Sequence, residues 1–317
     1  MMAVVAPAIH TPVLLREVVE FLGVQPGGRY IDCTVGGGGH AEAILEASMP
    51  RGQLLGLDAD SDAIKVATER LQNYGSAALL VNENFANLAV VCREHSFYPV
   101  QGILFDLGVS SMQLADGPRG FSFQIDAPLD MRFGRNQQLT ATDIVDTFSE
   151  EEITAVLRKY GEERKSRSIA RHIAASRPIG STLHLSKIVE EVVTDRKSRK
   201  IHPATKTFQA LRIAVNRELE CLRDALKQAI GLLAPGGRMV VIGYHSLENR
   251  VVKEFLRQET RGCLCSPITP VCVCEHEPTL KLITKKVVKP SLAEVNGNPR
   301  SRSAKLRVAE RLGGVDH

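Results

Sequence analysis

Tryptophan is absent from the 317 residues, and aromatic side chains amount to only 5%. Any recognition by ring stacking must therefore rest on few residues. No stretch approaches the 18 or so uncharged apolar residues of a membrane-spanning helix, which excludes one. The opening segment, Met1 to Ile9, is short and apolar and has no basic region, so it reads as neither a signal nor a transit peptide. A cytosolic protein is the expectation. Internal repeats and low-complexity tracts are also missing. In a cytosolic chain seven cysteines do not read as a disulfide framework. Cys33, Cys92 and Cys221 lie in apolar patterns and read as core, while the other four are clustered.

What remains is ordinary for a globular protein, with 44% hydrophobic and 24% charged residues. Net charge is only +4 but unevenly spread. Residues 158–217 hold 15 Lys and Arg against five acidic residues, and residues 279–317 hold nine against three. The rest of the chain is acidic. Two basic segments on a near-neutral protein suit either a polyanion or solvated helix faces.

The first half alternates short apolar runs with helical spacing. Thr11-Pro12 reads as a helix start. Strands are expected at Arg29–Cys33, Gln53–Leu57, Ala77–Val81 and Val100–Leu107, with helices between them. Such alternation predicts a doubly wound parallel sheet. Residues 112–139 are loop-like, and 140–206 read as helices without a clear strand. A single long helix is then expected over Phe208–Leu233, a strand at Arg238–Tyr244, a helix at Leu247–Gln258, and late strands at Leu280–Val288 and Ala304–Glu310. The expected organisation is an α/β domain formed by 1–111 and 208–317, interrupted by a helical insertion at 112–207.

The run Asp32-Cys33-Thr34-Val35-Gly36-Gly37-Gly38-Gly39-His40 lies between the first strand and its helix. Glycines there let backbone approach a ligand closely. Gly36, Gly38 and Ala41 also fit the dinucleotide pattern G-x-G-x-x-A, so the run alone is ambiguous. Asp32 shifts the balance, because a carboxylate there suits a cationic methionyl group and repels a pyrophosphate. Asp58 ends the second strand, where it could accept hydrogen bonds from ribose hydroxyls. Both could instead merely cap the following turns. S-adenosyl-L-methionine (SAM) is the better reading.

Asp106 ends the fourth strand, on the edge that lines the ligand crevice of an open α/β sheet. An acceptor there could hold the N–H of an exocyclic base amine while the amine attacks a methyl group in line. Amino-methyltransferases commonly carry Asp/Asn-Pro-Pro-aromatic at this point, whereas this chain has Asp106-Leu107-Gly108-Val109. Asp106 could touch the cofactor, the amine or both, or cap the next turn.

Several long motifs then occur in order: His10-Thr11-Pro12-Val13-Leu14, Asp106 to Ser111, Arg119-Gly120-Phe121-Ser122-Phe123, Pro128-Leu129-Asp130-Met131-Arg132, Tyr160-Gly161-Glu162-Glu163-Arg164, His245-Ser246-Leu247-Glu248, and Asn298 to Arg307. In these the chain resembles the bacterial 16S rRNA cytosine-N4 methyltransferases, the RsmH or MraW family. The resemblance implies a class I SAM-dependent methyltransferase fold, Rossmann-like, with an inserted helical domain that recognises rRNA. It implies methyl transfer from SAM to N4 of a decoding-centre cytosine, position 1402 of 16S rRNA. The substrate would be the small ribosomal subunit, with neither DNA nor membrane as partner. Its cofactor contacts fall on Gly38, Gly39, His40, Asp58, Phe85, Asp106 and Gln113, with Phe85 covering the adenine. Tyr244 stands where Phe is common and Asn249 where Asp is common, and neither is expected to touch those contacts.

Further groups stay open. His245 follows the fifth strand and could position the base, or it could be bonded locally beside a helix cap at Ser246. Cys263, Cys265, Cys272 and Cys274 form C-x-C-x6-C-x-C, a possible structural zinc set or a loop of reduced thiols. No catalytic metal is expected. Arg164, Lys165, Arg167 and Arg171 recur along a predicted helix, and Arg196, Lys197, Arg199 and Lys200 form a denser patch. With Arg300 and Arg302, and with Lys305 and Arg307 beyond them, these could contact rRNA phosphates. Phe121, Phe123 and Phe133 could hold an extruded cytosine, or simply anchor their loop. A DNA amino-methyltransferase and a SAM-binding ribosome-assembly factor are the competing functional readings.

Overall fold

The alternation of apolar runs and helices becomes a seven-stranded sheet in a computed structural model that describes residues 12–115, 117–193, 202–265 and 271–313. The chain divides into two compact units, one formed by Met1–Gly108 with Cys221–His317 and the other by Val109–Glu220.

In the first unit, helix α1 (Leu15–Leu22) leads to β1 (Arg29–Asp32), α2 (Gly39–Ser48), β2 (Gln53–Asp58), α3 (Ser61–Leu71), β3 (Ala78–Asn82), α4 (Leu88–Glu94) and β4 (Val100–Asp106). Thr11 lies outside the described residues, and α1 begins later than the Thr11-Pro12 signal suggests. Leu14 takes a left-handed conformation with φ 55°, and its N–H donates to Glu294 Oε1 at 2.8 Å. The chain thus turns once more before the helix starts.

The second unit carries α5 (Ser111–Ala115), α6 (Ala141–Thr147), α7 (Glu150–Gly161), α8 (Ser166–Ala175), α9 (Thr182–Val192) and α10 (Thr205–Asn216). Thr140 and Ser149 cap α6 and α7 in reciprocal boxes with Asp143 and Glu152. Ile144, Ile153, Leu157, Ile169, Leu185 and Leu211 are fully buried in its own apolar core. Gly161 permits the close approach of α7 to α10, because a Cβ there would lie 2.7 Å from the Lys206 carbonyl oxygen.

Helix α11 (Glu218–Leu232) then opens the return to the sheet, through β5 (Leu233–Gly243), α12 (Ser246–Glu259), β6 (Leu280–Leu282), α13 (Leu292–Gly297) and β7 (Lys305–Arg311). The single helix expected over Phe208–Leu233 is therefore two. The Asn216 amide is engaged by the Met131 carbonyl and the Phe133 N–H, and Arg217 turns left-handed with φ 50°. The helix predicted to carry Arg164, Lys165, Arg167 and Arg171 begins only at Ser166, and the last-but-one strand is only three residues long, with an isolated bridge at Val288.

Strand order is β3-β2-β1-β4-β5-β7-β6. The first five strands in space run parallel, while β7 is antiparallel to β5 and β6 to β7. This is a Rossmann-like α/β sheet with two antiparallel pairings at one end. The order reverses between β1 and β4, and in an open α/β sheet that reversal opens a ligand crevice at the carboxyl ends of the strands. Tyr30, Ile31, Leu54, Leu55, Ile103, Leu104, Val240 and Ile242, on strands β1, β2, β4 and β5, are wholly buried.

Candidate active site

The carboxyl ends of β1, β2 and β4 each finish on an aspartate: Asp32, Asp58 and Asp106. Between β1 and α2 the chain crosses the crevice on the glycine run. Gly38 adopts φ 79°, which glycine alone accepts freely. A Cβ on Gly39 would lie 2.4 Å from Pro12 Cγ, so this position excludes a side chain by packing. The loop is tied to the neighbouring strands. The Val35 N–H donates to the Leu57 carbonyl at 2.9 Å, and the Gly36 N–H to Asp58 Oδ2 at 2.9 Å.

Asp58 therefore works on the backbone with both oxygens, since Oδ1 also accepts from the Asp60 N–H at 2.9 Å. Asp32 differs. It is fully buried, and Oδ1 accepts from the Thr34 N–H at 3.1 Å, but Oδ2 has no hydrogen-bond partner. Burial pushes its pKa up to about 6, against the pull of His40 and the Thr34 N–H and with the repulsion of Asp106 and Asp58. An acidic set with one unpartnered buried oxygen calls for a cation.

Asp106 meets three other residues of the site. Its N–H donates to Thr34 Oγ1 at 2.7 Å, Oδ1 accepts from the Tyr244 hydroxyl at 2.7 Å, and Oδ2 lies 3.6 Å from His40 Nδ1. Its side chain keeps 18% of its surface exposed. Burial raises its pKa to about 7; the Tyr244 bond works downward and Glu248 upward. Burial likewise raises the Tyr244 phenol, so that hydroxyl is the donor.

Tyr244, expected to touch none of the cofactor-contact residues, thus holds one of them directly. The contact joins residues 138 apart in sequence, and only the pairing of β4 with β5 brings them together.

His40 is also more than a helix-start residue. Its Nε2 lies 2.9 Å from the Val13 carbonyl. A carbonyl can only accept, so Nε2 carries hydrogen and the neutral ring turns a bare Nδ1 toward Asp106. Burial lowers the His40 pKa, with Asp32 pulling the other way. Two acceptors face one another across 3.6 Å, an arrangement that favours one proton held by the pair.

Phe85 opens a 3-10 turn after β3 and meets Phe105 edge-on at 5.9 Å. Gln113 lies on α5 in the second unit, buried, with Oε1 accepting from the Ser110 N–H at 3.0 Å.

His245 takes the place expected for Ser246 as the cap of α12. Its Nδ1 accepts from the Glu248 N–H at 3.3 Å, and Glu248 Oε2 accepts from the His245 N–H at 3.1 Å. Nε2 lies 3.1 Å from Glu248 Oε1, so both ring nitrogens face the helix's first turn.

The phenylalanines offered for base stacking pack into the second unit instead. Phe121 is buried and stacked on Phe133 at 5.6 Å, and Phe123 stacks on His202 at 4.5 Å.

Of the basic residues, Arg164, Arg167, Arg171, Arg300 and Arg302 are exposed. Lys165 Nζ donates to the Val192 carbonyl at 3.1 Å, and Arg171 pairs with Glu150 at 3.8 Å. Arg196, Lys197, Arg199 and Lys200 lie outside the described residues. No helix among the described residues is long and apolar enough to cross a membrane.

Residues 7–312 match the profile of the MraW methylase family. A protein of Dehalococcoides mccartyi named ribosomal RNA small subunit methyltransferase H is 57% identical over 303 residues, covering 96% of this chain and 86% of that protein. The protein of that name from Thermomicrobium roseum is 53% identical over 306 residues, covering 96% and 94%. That from Halothermothrix orenii is 47% identical over 307 residues, covering 96% and 98%.

Proposed function

The chain belongs to the MraW methylase family, and from that premise we propose that it methylates rRNA of the small ribosomal subunit. The proposed reaction carries a methyl group from SAM to the exocyclic N4 of a decoding-centre cytosine, position 1402 of 16S rRNA. The observation that carries this reading is Asp106: a carboxylate at the carboxyl end of β4, with one oxygen steadied by Tyr244 and a pKa near 7.

The glycine loop and the three strand-end aspartates fit SAM better than a dinucleotide. The unpartnered Oδ2 of Asp32 and the mutual repulsion among the aspartates are relieved by a cation and worsened by a pyrophosphate. Asp58 would hold the ribose, Asp32 would face the positive methionyl end, Phe85 would cover the adenine, and Gly38, Gly39 and His40 would complete the contacts. When bound, SAM supplies a methyl group already activated on a sulfonium.

The rest is work for the chain. The lone pair of a base amine is delocalised into the ring, so accepting one N–H helps free it for attack. Asp106 is that acceptor. The amine gains a bond to carbon in exchange for the methyl–sulfur bond, whose electron pair stays with sulfur, and loses one proton, which would pass to the Asp106 carboxylate with His40 Nδ1 beside it. Tyr244 fixes which oxygen points where. A carboxylate titrating near neutrality suits this exchange.

We assign rRNA recognition to the second unit, in which Arg164 and Arg167 are exposed, and to Arg300 and Arg302 of the first. The protein would then work in the cytoplasm.

The test is methyl transfer from labelled SAM to small subunits and to naked rRNA, with the product nucleotide mapped. Label at N4 of the decoding-centre cytosine supports the proposal. Label on DNA or protein but not on rRNA overturns it. An Asp106→Ala variant that restores subunit assembly without methylation would favour the assembly-factor reading.

A further inference from the structure

Away from the strand-end aspartates, the described residues between α12 and β6 have no core of their own. Residues 261–265 and 271–279 include no buried side chain and no regular secondary structure. Val271 and Val273 are 72% and 76% exposed. Apolar burial therefore does not explain the convergence of four thiols there. The Sγ atoms of Cys263, Cys265, Cys272 and Cys274 all lie within 4.8 Å of one another.

Their geometry is specific. Cys263 and Cys272 sulfurs are 3.4 Å apart, Cys272 and Cys274 3.6 Å, and Cys263 and Cys274 3.8 Å. Four thiolates around one zinc ion at about 2.3 Å form a tetrahedron whose edge is about 3.8 Å. Free thiols in contact need no such closure of all four.

The backbone around them is arranged reciprocally. The Leu264 N–H donates to Cys274 Sγ at 3.3 Å, and the Val273 N–H donates to Cys265 Sγ at 3.4 Å. Each middle residue of one C-x-C pair thus serves the second cysteine of the other. A third bond runs from the Cys265 N–H to Cys263 Sγ at 3.4 Å. Sulfurs accepting from backbone N–H groups are sulfurs prepared to carry negative charge, and such outer contacts orient metal-bound thiolates.

We propose that Cys263, Cys265, Cys272 and Cys274 bind one structural Zn²⁺ with all four positions filled. Binding displaces the four thiol protons into solvent and leaves no open coordination site, so this ion has no part in methyl transfer. Its work is mechanical. The segment returns to the sheet beside the end of α12, where the Thr279 hydroxyl donates to Glu259 Oε2 at 2.7 Å and its N–H to the Glu259 carbonyl at 2.9 Å. Zinc closes that return and anchors the short edge strand β6.

Sulfurs this close exclude a four-iron cluster, whose thiolates must each reach a different iron. A disulfide is the chemical rival, since Cys263 and Cys272 are already adjacent.

The experiment uses full-length protein, purified without a metal-affinity tag and with thiols protected. Elemental analysis should give one equivalent of zinc. Exchange for Co²⁺ should give the thiolate charge-transfer absorption of a tetrahedral sulfur site. The Cys263→Ser/Cys272→Ser variant should retain less than about a tenth of an equivalent. Chelator-treated wild type and this variant should be cut faster by trypsin after Arg261, with methyl transfer retained. Should the double variant fail to fold, the metal content and Co²⁺ spectrum of the wild type still decide. Zinc below about a tenth of an equivalent in reduced protein that also fails to take up added zinc overturns the proposal. So does stoichiometric iron, or a Cys263–Cys272 disulfide trapped in freshly isolated protein.

Discussion

The hydroxyl of Tyr244 donates to Oδ1 of Asp106 across 2.7 Å, joining the ends of β4 and β5. This bond favours the ionised carboxyl, while burial opposes it and leaves the group near pH 7. Activity that needs the carboxylate should therefore rise as pH climbs through about 7. In Tyr244→Phe the downward pull is gone, so the pH profile should move to higher pH by about one unit. At pH 7 kcat should fall several-fold, with SAM affinity little changed. At pH 9 the two enzymes should converge. A variant whose rate loss is equal at every pH would show that the hydroxyl only shapes the site.

Asp106 also bears on stability, in the opposite sense. Its pKa is raised on folding, so between about pH 4 and 7 the folded chain holds a proton that the unfolded chain has released. The contribution of this group therefore weakens as pH rises through that window. Asp106→Asn, uncharged throughout, should be stabilised relative to wild type at pH 8 and should lose that advantage at pH 4. Thermal unfolding at the two pH values measures it. Turnover by the same variant should drop by about 10²-fold or more, because the amide has no charge with which to take the amine proton.

His245 invites a catalytic reading from its place after β5, yet its ring caps α12. His245→Ala should cost about 1 kcal/mol of stability, typical of a lost N-cap. His245→Asn, whose side chain can accept the same Glu248 N–H, should restore most of it together with activity. Urea unfolding and initial rates on small subunits check this. An Asn variant that is as stable as wild type but inactive would return His245 to the catalytic site.

The parallel sheet was legible because strand and helix periodicities alternate cleanly from Arg29 to Leu107. The glycine run and its flanking aspartates could be placed at strand ends for the same reason. What stayed hidden was lateral. Nothing near Tyr244 announces that its hydroxyl meets Asp106, and nothing near His40 announces a bond to Val13. The helix break at Arg217 was equally silent, because no glycine or proline marks it. Its cause is the use of the Asn216 side chain by a loop some 80 residues earlier. Local pattern reports the period of an element, not the partner across the fold.

Asp58 makes a different kind of test, since its carboxylate serves the glycine loop before any ligand arrives. Asp58→Ala leaves the Gly36 N–H without its acceptor, a loss of about 1–3 kcal/mol where such a group is shielded from water. Removing the ribose contact as well should weaken SAM binding at least ~10-fold, equivalent to about 1.4 kcal/mol. Calorimetric titration with SAM, alongside melting without it, separates the two effects. Unchanged SAM affinity would exclude Asp58 from the cofactor site.

The basic residues divide by what already holds them. Arg300 and Arg302 are exposed on the turn Pro299–Ser303, whereas the Lys165 ammonium is bonded to the Val192 carbonyl inside the second unit. A side chain that meets phosphate releases counterions, so its removal lowers the salt dependence of binding as well as the affinity. Arg300→Ala and Arg302→Ala should each reduce the slope of log K against log salt by about 1, with no change in melting temperature. Lys165→Ala should do the reverse, lowering the melting temperature while leaving the salt slope in place. Binding of small subunits across a salt series gives both numbers. If Lys165→Ala changes the slope as much as the arginine variants do, its bond to Val192 gives way to rRNA on binding and the division by prior partner is wrong.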